Sequence, residues 1–181
     1  DEGITGYGEA SNIPRGGSIL TAHTVKALRE ALIGEDPADI ERLWHKMYRR
    51  YTYLGGRGLP TTAVSGIDIA LWDIKGKALG RPVYDLLGGK VHDDLRLSDH
   101  LPRGTRTPED QARAVREVTI ARGKDGVKLD AVQDMMKYHT EYVTGQLTAG
   151  TEHCGYEIVR AIREEVGPRF EILIDAQGHY N

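Results

Sequence analysis

From Ala63 to Gly89 the chain reads AVSGIDIALWDIKGKALGRPVYDLLGG, and the first half of that stretch admits one local structure. Ala63, Ile67, Ala70, Leu71, Ile74, Ala78 and Leu79 recur at helical intervals, while Asp68, Lys75 and Lys77 fall off that face. The pattern predicts an amphipathic helix over 63–79. Ala63, Ser65, Gly66, Ala70, Gly76 and Ala78 are small enough to let another backbone approach closely. Gly80 supplies a helix stop, and Arg81-Pro82 opens the short apolar run Val83–Leu87 ahead of Gly88-Gly89. By pattern alone this is a buried core helix.

Length and charge narrow what surrounds it. The chain has 181 residues, 39% hydrophobic and 28% charged, which suits a globular core. A net charge of −3 leaves no basic footprint, so nucleic acid is not an expected partner. No apolar run approaches the ~20 residues of a membrane helix, so no membrane is expected either. The single cysteine, Cys154, cannot close an internal disulfide, and a cytoplasmic location is expected.

Along the chain, DEGITGYGE (Asp1–Glu9) reads as a turn at Glu2-Gly3 entering a strand with Ile4 and Tyr7 on alternate positions. Its glycines mark close backbone approach. Ser11–Ile19 reads as a loop and Thr21–Ile33 as a helix ended by Gly34. Asp36-Pro37 offers a cap and first-turn proline for a second helix carrying Ile40, Leu43, Trp44, Met47, Tyr48 and Tyr51 on one apolar stripe. Aromatics at that spacing are read as core. The glycine-rich loop Tyr53–Pro60 lacks a phosphate-loop lysine, which excludes nucleotide binding by that motif. Its Arg57 is either simply exposed or meets an acidic substrate.

Beyond Gly89 the pattern changes. Leu95–Ser98 alternates as a strand, Thr107-Pro108-Glu109-Asp110 is a helix start, and that helix runs to Gly123. Gly126–Asp130 reads as a strand, Tyr156–Val166 as a helix stopped by Gly167-Pro168, and Phe170–Asp175 as a strand. Strand alternating with helix is the pattern of parallel βαβ units.

Two strand ends carry groups suited to chemistry. Ile172-Leu173-Ile174-Asp175 is an apolar strand ending in a carboxylate, costly to bury unpaired. Asp175 is either a turn or helix-cap aspartate or a ligand for a hard cation such as Mg²⁺, which prefers oxygen donors. Lys128, after Gly126-Val127, either reaches the rim with its ammonium in water or serves in a site.

The 63–89 stretch resembles the signature of the mandelate racemase and muconate lactonizing enzyme family of the enolase superfamily. The resemblance covers Ala63, Ser65, Gly66, Asp68-x-Ala70-Leu71-x-Asp73, Gly76-Lys77 and Pro82-Val83-x-x-Leu86-Leu87-Gly88, with no departure. It implies an α/β chain: part of an α+β capping domain (1–92), then the first three βα units of a (β/α) TIM-type barrel (93–181). Such a barrel needs ~250 residues, so the chain is expected to be cut at both ends, and inactive by itself. DAQGHY then resembles the third-strand motif whose leading aspartate, Asp175, is the first of three metal-binding carboxylates. Gln177 stands where asparagine is common. His179, four residues past Asp175, is a residue of the barrel mouth.

In the resembled family the second strand often ends in two lysines one residue apart. Here Lys128 matches the first, expected to hold the substrate carboxylate, and Asp130 replaces the second. That replacement disfavours a lysine-based racemase. A lysine-x-aspartate ending is similar to that of several acid-sugar dehydratases, and Asp130, Gln177 and His179 are then substrate contacts or neighbours of them. The long segment Ala131–Gly155 holds Tyr138, His139 and Tyr142, which either join in acid–base work or pack an insert.

The implied activity of the parent is Mg²⁺-dependent dehydration of an aldonate or aldarate through an ene-diolate. Two alternatives stand beside it: epimerisation, racemisation or cycloisomerisation after the same first step, and an inactive assembly segment. The expected partners are a small carboxylate substrate and, from the family, further copies of the same chain.

Overall fold

The computed structural model describes residues 3–11, 17–54, 57–101, 107–131 and 145–175. They form two compact units, Asp1–Val91 and His92–Asn181.

The first unit is helical. Helix α1 (Gly17–Leu32) and helix α2 (Ile40–Arg50) pack on helix α3 (Leu59–Leu79), and a short helix α4 (Val83–Leu86) follows. Leu28 of α1, Met47 of α2 and Ala63 and Val64 of α3 form one buried cluster; Ile40, Leu43 and Leu71 form a second. The apolar stripe of α2 is therefore core, with Trp44 stacked on Tyr48 at its edge. Two expectations need correction here. Helix α2 begins at Ile40, not directly after Pro37, because the Asp36 side chain accepts from the Ala38 N–H and closes a turn first. Leu79, expected on the inner face of α3, is exposed.

Helix α3 ends as its sequence requires. Gly80 adopts φ 62°, and the N–H groups of Gly80 and Arg81 reach back to the Lys77 and Gly76 carbonyls.

Residues 3–11 carry no ladder hydrogen bonds, so the expected strand is extended chain lying along α3. The approach is backbone to backbone. A Cβ at Gly8 would overlap the Gly66 carbonyl oxygen, and one at Gly6 would overlap that of Ala70. Side chains of α3 supply what a neighbouring strand would. Asp73 Oδ2 accepts from the Tyr7 N–H at 2.7 Å, and Lys77 Nζ donates to the Thr5 carbonyl at 2.8 Å. Lys77 also bonds Asp73 at 2.6 Å and stands 4.6 Å from the Tyr7 ring centroid.

The second unit is a parallel sheet of β1 (Ser98–His100), β2 (Gly126–Leu129) and β3 (Glu171–Ile174), in that order. Strand β1 begins where Leu95–Ser98 was expected to end; Leu97 exchanges hydrogen bonds with Asp125 ahead of the regular ladder. Helix α5 (Pro108–Ala114) starts at Thr107, whose hydroxyl accepts from the Asp110 N–H, and continues as a π-helical turn over Val115–Ile120. Helix α6 (Ala149–Val166) begins earlier than expected, capped by Thr148 accepting from the Thr151 N–H. Val127 and Leu129 of β2 are buried with Val115, Ile158 and Ile162 from the helices. Arg163 of α6 donates to the Gly167 and Phe170 carbonyls, fixing the turn into β3.

Two outcomes follow. Gly8→Ala forces α3 and the extended segment apart and lowers stability by about 2–3 kcal/mol. Gly150→Ala, whose added carbon has only Thr148 Oγ1 within 4 Å, leaves stability unchanged or slightly raised; urea unfolding distinguishes them. The second concerns acid. The Lys77 ammonium, and then the Tyr7 N–H, hold the Asp73 carboxyl below the usual carboxylate range. A depressed folded-state value gives a contribution fully present above the unfolded value of about 3.9 and lost as pH falls through the folded one. Asp73→Asn should therefore remove part of the pH dependence of unfolding below about pH 4, read by circular dichroism.

Candidate active site at the C-terminal edge of the sheet

In a strand, side chains alternate between faces. Val127 and Leu129 point into the helices, so Lys128 belongs to the opposite face, and Asp130 falls two residues further along it. The register pairs Lys128 with His100 of β1 and with Leu173 of β3. Asp175, two residues beyond Leu173, continues the ladder: its N–H donates to the Leu129 carbonyl at 2.9 Å. On the other side the Leu101 N–H donates to the Lys128 carbonyl, also at 2.9 Å. The backbone around Lys128 is thus held from both neighbouring strands at the end where they leave the sheet.

That placement brings two expected site residues together. Lys128 Nζ lies 2.6 Å from Asp175 Oδ2, the two side chains 38% and 27% exposed. The lysine stem spans the diagonal between adjacent strands and delivers its charge to the strand end. Asp175 is an ion-pair partner of Lys128, and the interaction reaches across the sheet rather than along one element. An ammonium has three donors, so one contact to Asp175 leaves capacity for a second anion.

The register adds a residue that the sequence reading passed over. His100 ends β1 on the same face and level as Lys128, and it is exposed. Its signal was present: Leu97, Asp99 and Leu101 continue the alternation past Ser98, with Leu101 buried on the helix side. Asp99, on that side too, pairs with Arg122 at 3.0 Å. Gln177 and His179 lie outside the described residues, as do Tyr138, His139 and Tyr142. Arg57 is exposed in the first unit.

The carboxylate of Asp175 is the donor type that a hard divalent cation takes. It does not complete a metal centre: among the described residues no group of three or more His, Cys, Asp or Glu side chains comes together to hold an ion. Among the described residues no helix is long and apolar enough to cross a membrane.

Comparison with known proteins agrees with this architecture. Residues 1–88 match the family described as mandelate racemase / muconate lactonizing enzyme, N-terminal domain. A D-galactonate dehydratase of Variovorax paradoxus is 37% identical over 178 residues, covering 98% of this chain and 43% of the relative. A D-gluconate dehydratase of Thermoproteus tenax is 33% identical, covering 99% of this chain and 34% of the relative. Among solved structures, an enolase-superfamily member from Salmonella Typhimurium superposes with a TM-score of 0.85 at 34% identity, covering 100% of this chain and 49% of that one. The chain spans less than half the length of each.

The Lys128–Asp175 pair should show a coupling free energy of about 0.5–1 kcal/mol in a double-mutant cycle of Lys128→Ala and Asp175→Ala, measured by urea unfolding. A cycle of Lys128→Ala with Asp99→Ala, on opposite faces of the sheet, should show none.

Proposed function

We propose, because this chain belongs to the mandelate racemase and muconate lactonizing enzyme family of the enolase superfamily, that its parent protein dehydrates an acid sugar. The observation that carries the reading is the meeting of Lys128 with Asp175 at the C-terminal end of a parallel sheet, the end from which parallel α/β folds work. The two curated relatives named as aldonate dehydratases support the substrate class. The parallel strands β1 to β3 are then the first three of a closed barrel. Leu173 and Ile174, exposed on β3, are apolar surface that further elements would cover.

In this reading Lys128 turns its spare donors to the substrate carboxylate. Transfer of the proton on the adjacent carbon to a base of the parent outside this chain drives negative charge onto the carboxylate oxygens, and a fixed ammonium at that point lowers the barrier. The carbon–oxygen bond of the neighbouring hydroxyl then breaks, that oxygen takes a proton from a general acid of the parent and leaves as water, and the remaining enol becomes a ketone. Asp175 would be one ligand of a Mg²⁺ ion, the other ligands coming from the parent outside this chain. When bound, such an ion supplies further positive charge beside the carboxylate. In this reading His100, level with Lys128 on the same face, and Asp130 beyond it are contacts for substrate hydroxyls. Asp130 in place of a second lysine speaks against racemisation by a lysine on this strand, since a carboxylate beside an anionic substrate is a weak acceptor site for its α-proton to reach.

The test is product analysis with the full-length parent, Mg²⁺ and a panel of aldonates and aldarates. At least one should give a 2-keto-3-deoxy acid that reacts with semicarbazide, and Lys128→Ala should lower kcat/KM for it by roughly 10²–10³-fold. Formation of a stereoisomer with no keto acid from any member of the panel would overturn the dehydratase reading in favour of epimerisation.

A further inference from the structure

The ion pair between Lys128 and Asp175 differs in kind from pairs that brace the second unit elsewhere. Arg96–Glu171, Arg116–Glu165, Arg122–Asp99 and Arg160–Glu157 are all made by arginine. A guanidinium is a planar fork that fixes a carboxylate in place, which suits a permanent brace. At the C-terminal edge of the sheet the cation is instead a lysine, its Nζ 2.6 Å from Asp175 Oδ2. An ammonium is a point charge on a flexible stem, with three donors that can turn from one anion to another. Such a contact holds a carboxylate and can also release it.

The backbone keeps the two groups adjacent. The Lys128 carbonyl accepts from the Leu101 N–H, and the Asp175 N–H donates to the Leu129 carbonyl, each at 2.9 Å. Both residues are therefore anchored on neighbouring strands of this chain, and their meeting follows from the β2–β3 register. The side chains are 38% and 27% exposed, so their charges act on each other through less than the full screening of water. A cation arriving at Asp175 meets a resident positive charge on the same carboxylate. An anion arriving beside Lys128 draws that charge away. Each ligand removes what opposes the other, and linkage makes the benefit equal in both directions.

We propose that Lys128 is a built-in competitor for the Asp175 carboxylate, holding its affinity for a divalent cation low until a carboxylate ligand engages the ammonium, so that metal and acid substrate bind cooperatively. This rests on the reading of Asp175 as a Mg²⁺ ligand and adds to it how the filling of the site is coupled. A brace would act with the opposite sign. Were Lys128 present only to orient Asp175, its removal would loosen the carboxylate and weaken metal binding. Competition requires that its removal strengthen metal binding, because a positive charge leaves the carboxylate that the cation takes.

The test is binding, not turnover. Mn²⁺, which shares the preference of Mg²⁺ for oxygen ligands, is titrated into the metal-free full-length parent, and free Mn²⁺ is read by electron paramagnetic resonance. Lys128→Met should lower the Mn²⁺ dissociation constant about tenfold, while Lys128→Arg, which keeps the charge, should stay near the wild-type value. A second measurement uses unaltered protein, so it does not depend on a variant folding. Saturating 3-deoxygluconate, a carboxylate with no 3-hydroxyl to lose, should lower the wild-type constant about tenfold, and lower that of Lys128→Met by much less. Asp175→Asn checks the underlying reading separately. Unchanged Mn²⁺ affinity in that variant overturns Asp175 as a ligand, and this inference with it. Affinity lost in Asp175→Asn but unchanged or weakened in Lys128→Met overturns this inference alone. So does a Lys128→Arg protein that tightens as Lys128→Met does, or a wild-type affinity indifferent to 3-deoxygluconate.

Discussion

Burial of one face of β2 is the constraint from which the polar edge of the sheet follows. Val127 and Leu129 are shut away against Val115, Ile158 and Ile162, each deletion of which would leave a void the packing could only partly close. With two of four strand residues committed to the helices, the pleat leaves Lys128 no other direction. Its ammonium must then find an anion, and the parallel register of β3 presents one, Asp175, within reach of a four-carbon stem. Apolar packing on one side thus orients the charge on the other, with no specific contact needed at the lysine itself.

The first unit solves a different problem by the same economy of side chains. An extended segment brought against a helix exposes backbone donors and acceptors that would ordinarily belong to a sheet. Gly6, Gly8 and Gly66 remove the carbon atoms that would hold the two backbones apart. Asp73 and Lys77, one turn apart on α3, then take the Tyr7 N–H and the Thr5 carbonyl and pair with each other. The signature stretch 63–89 therefore carries structural work in its charged positions as well as its small ones. That explains why a motif so specific for a family says nothing by itself about substrate.

The proposed function rests on the second unit, and the two lines of support for it differ in kind. Kinship with enolase-superfamily proteins and with aldonate dehydratases speaks for the reaction class. The geometry speaks for individual atoms: which ammonium meets which carboxylate, and which histidine shares their level. His100 illustrates the difference. No motif drew attention to it, yet the ladder from Ser98–Gly126 to His100–Lys128 sets it beside the lysine.

The sequence alone determined what depends on near neighbours along the chain. The caps at Thr107, the left-handed stop at Gly80, the helical stripes of α2 and α3 and the alternation of strand with helix are set by residues within a turn or two, so their identities were legible. Boundaries that depend on a distant partner were not. Residues 3–11 have strand composition but lie on a helix, β1 begins only where Asp125 has finished engaging Leu97, and α2 waits for the turn at Asp36. Lys128 and Asp175 could each be picked out as a charge at the end of an apolar strand. Only the tertiary structure decided that they are partners, because the choice rests on parallel register between segments 47 residues apart, and register is set by which faces the helices bury.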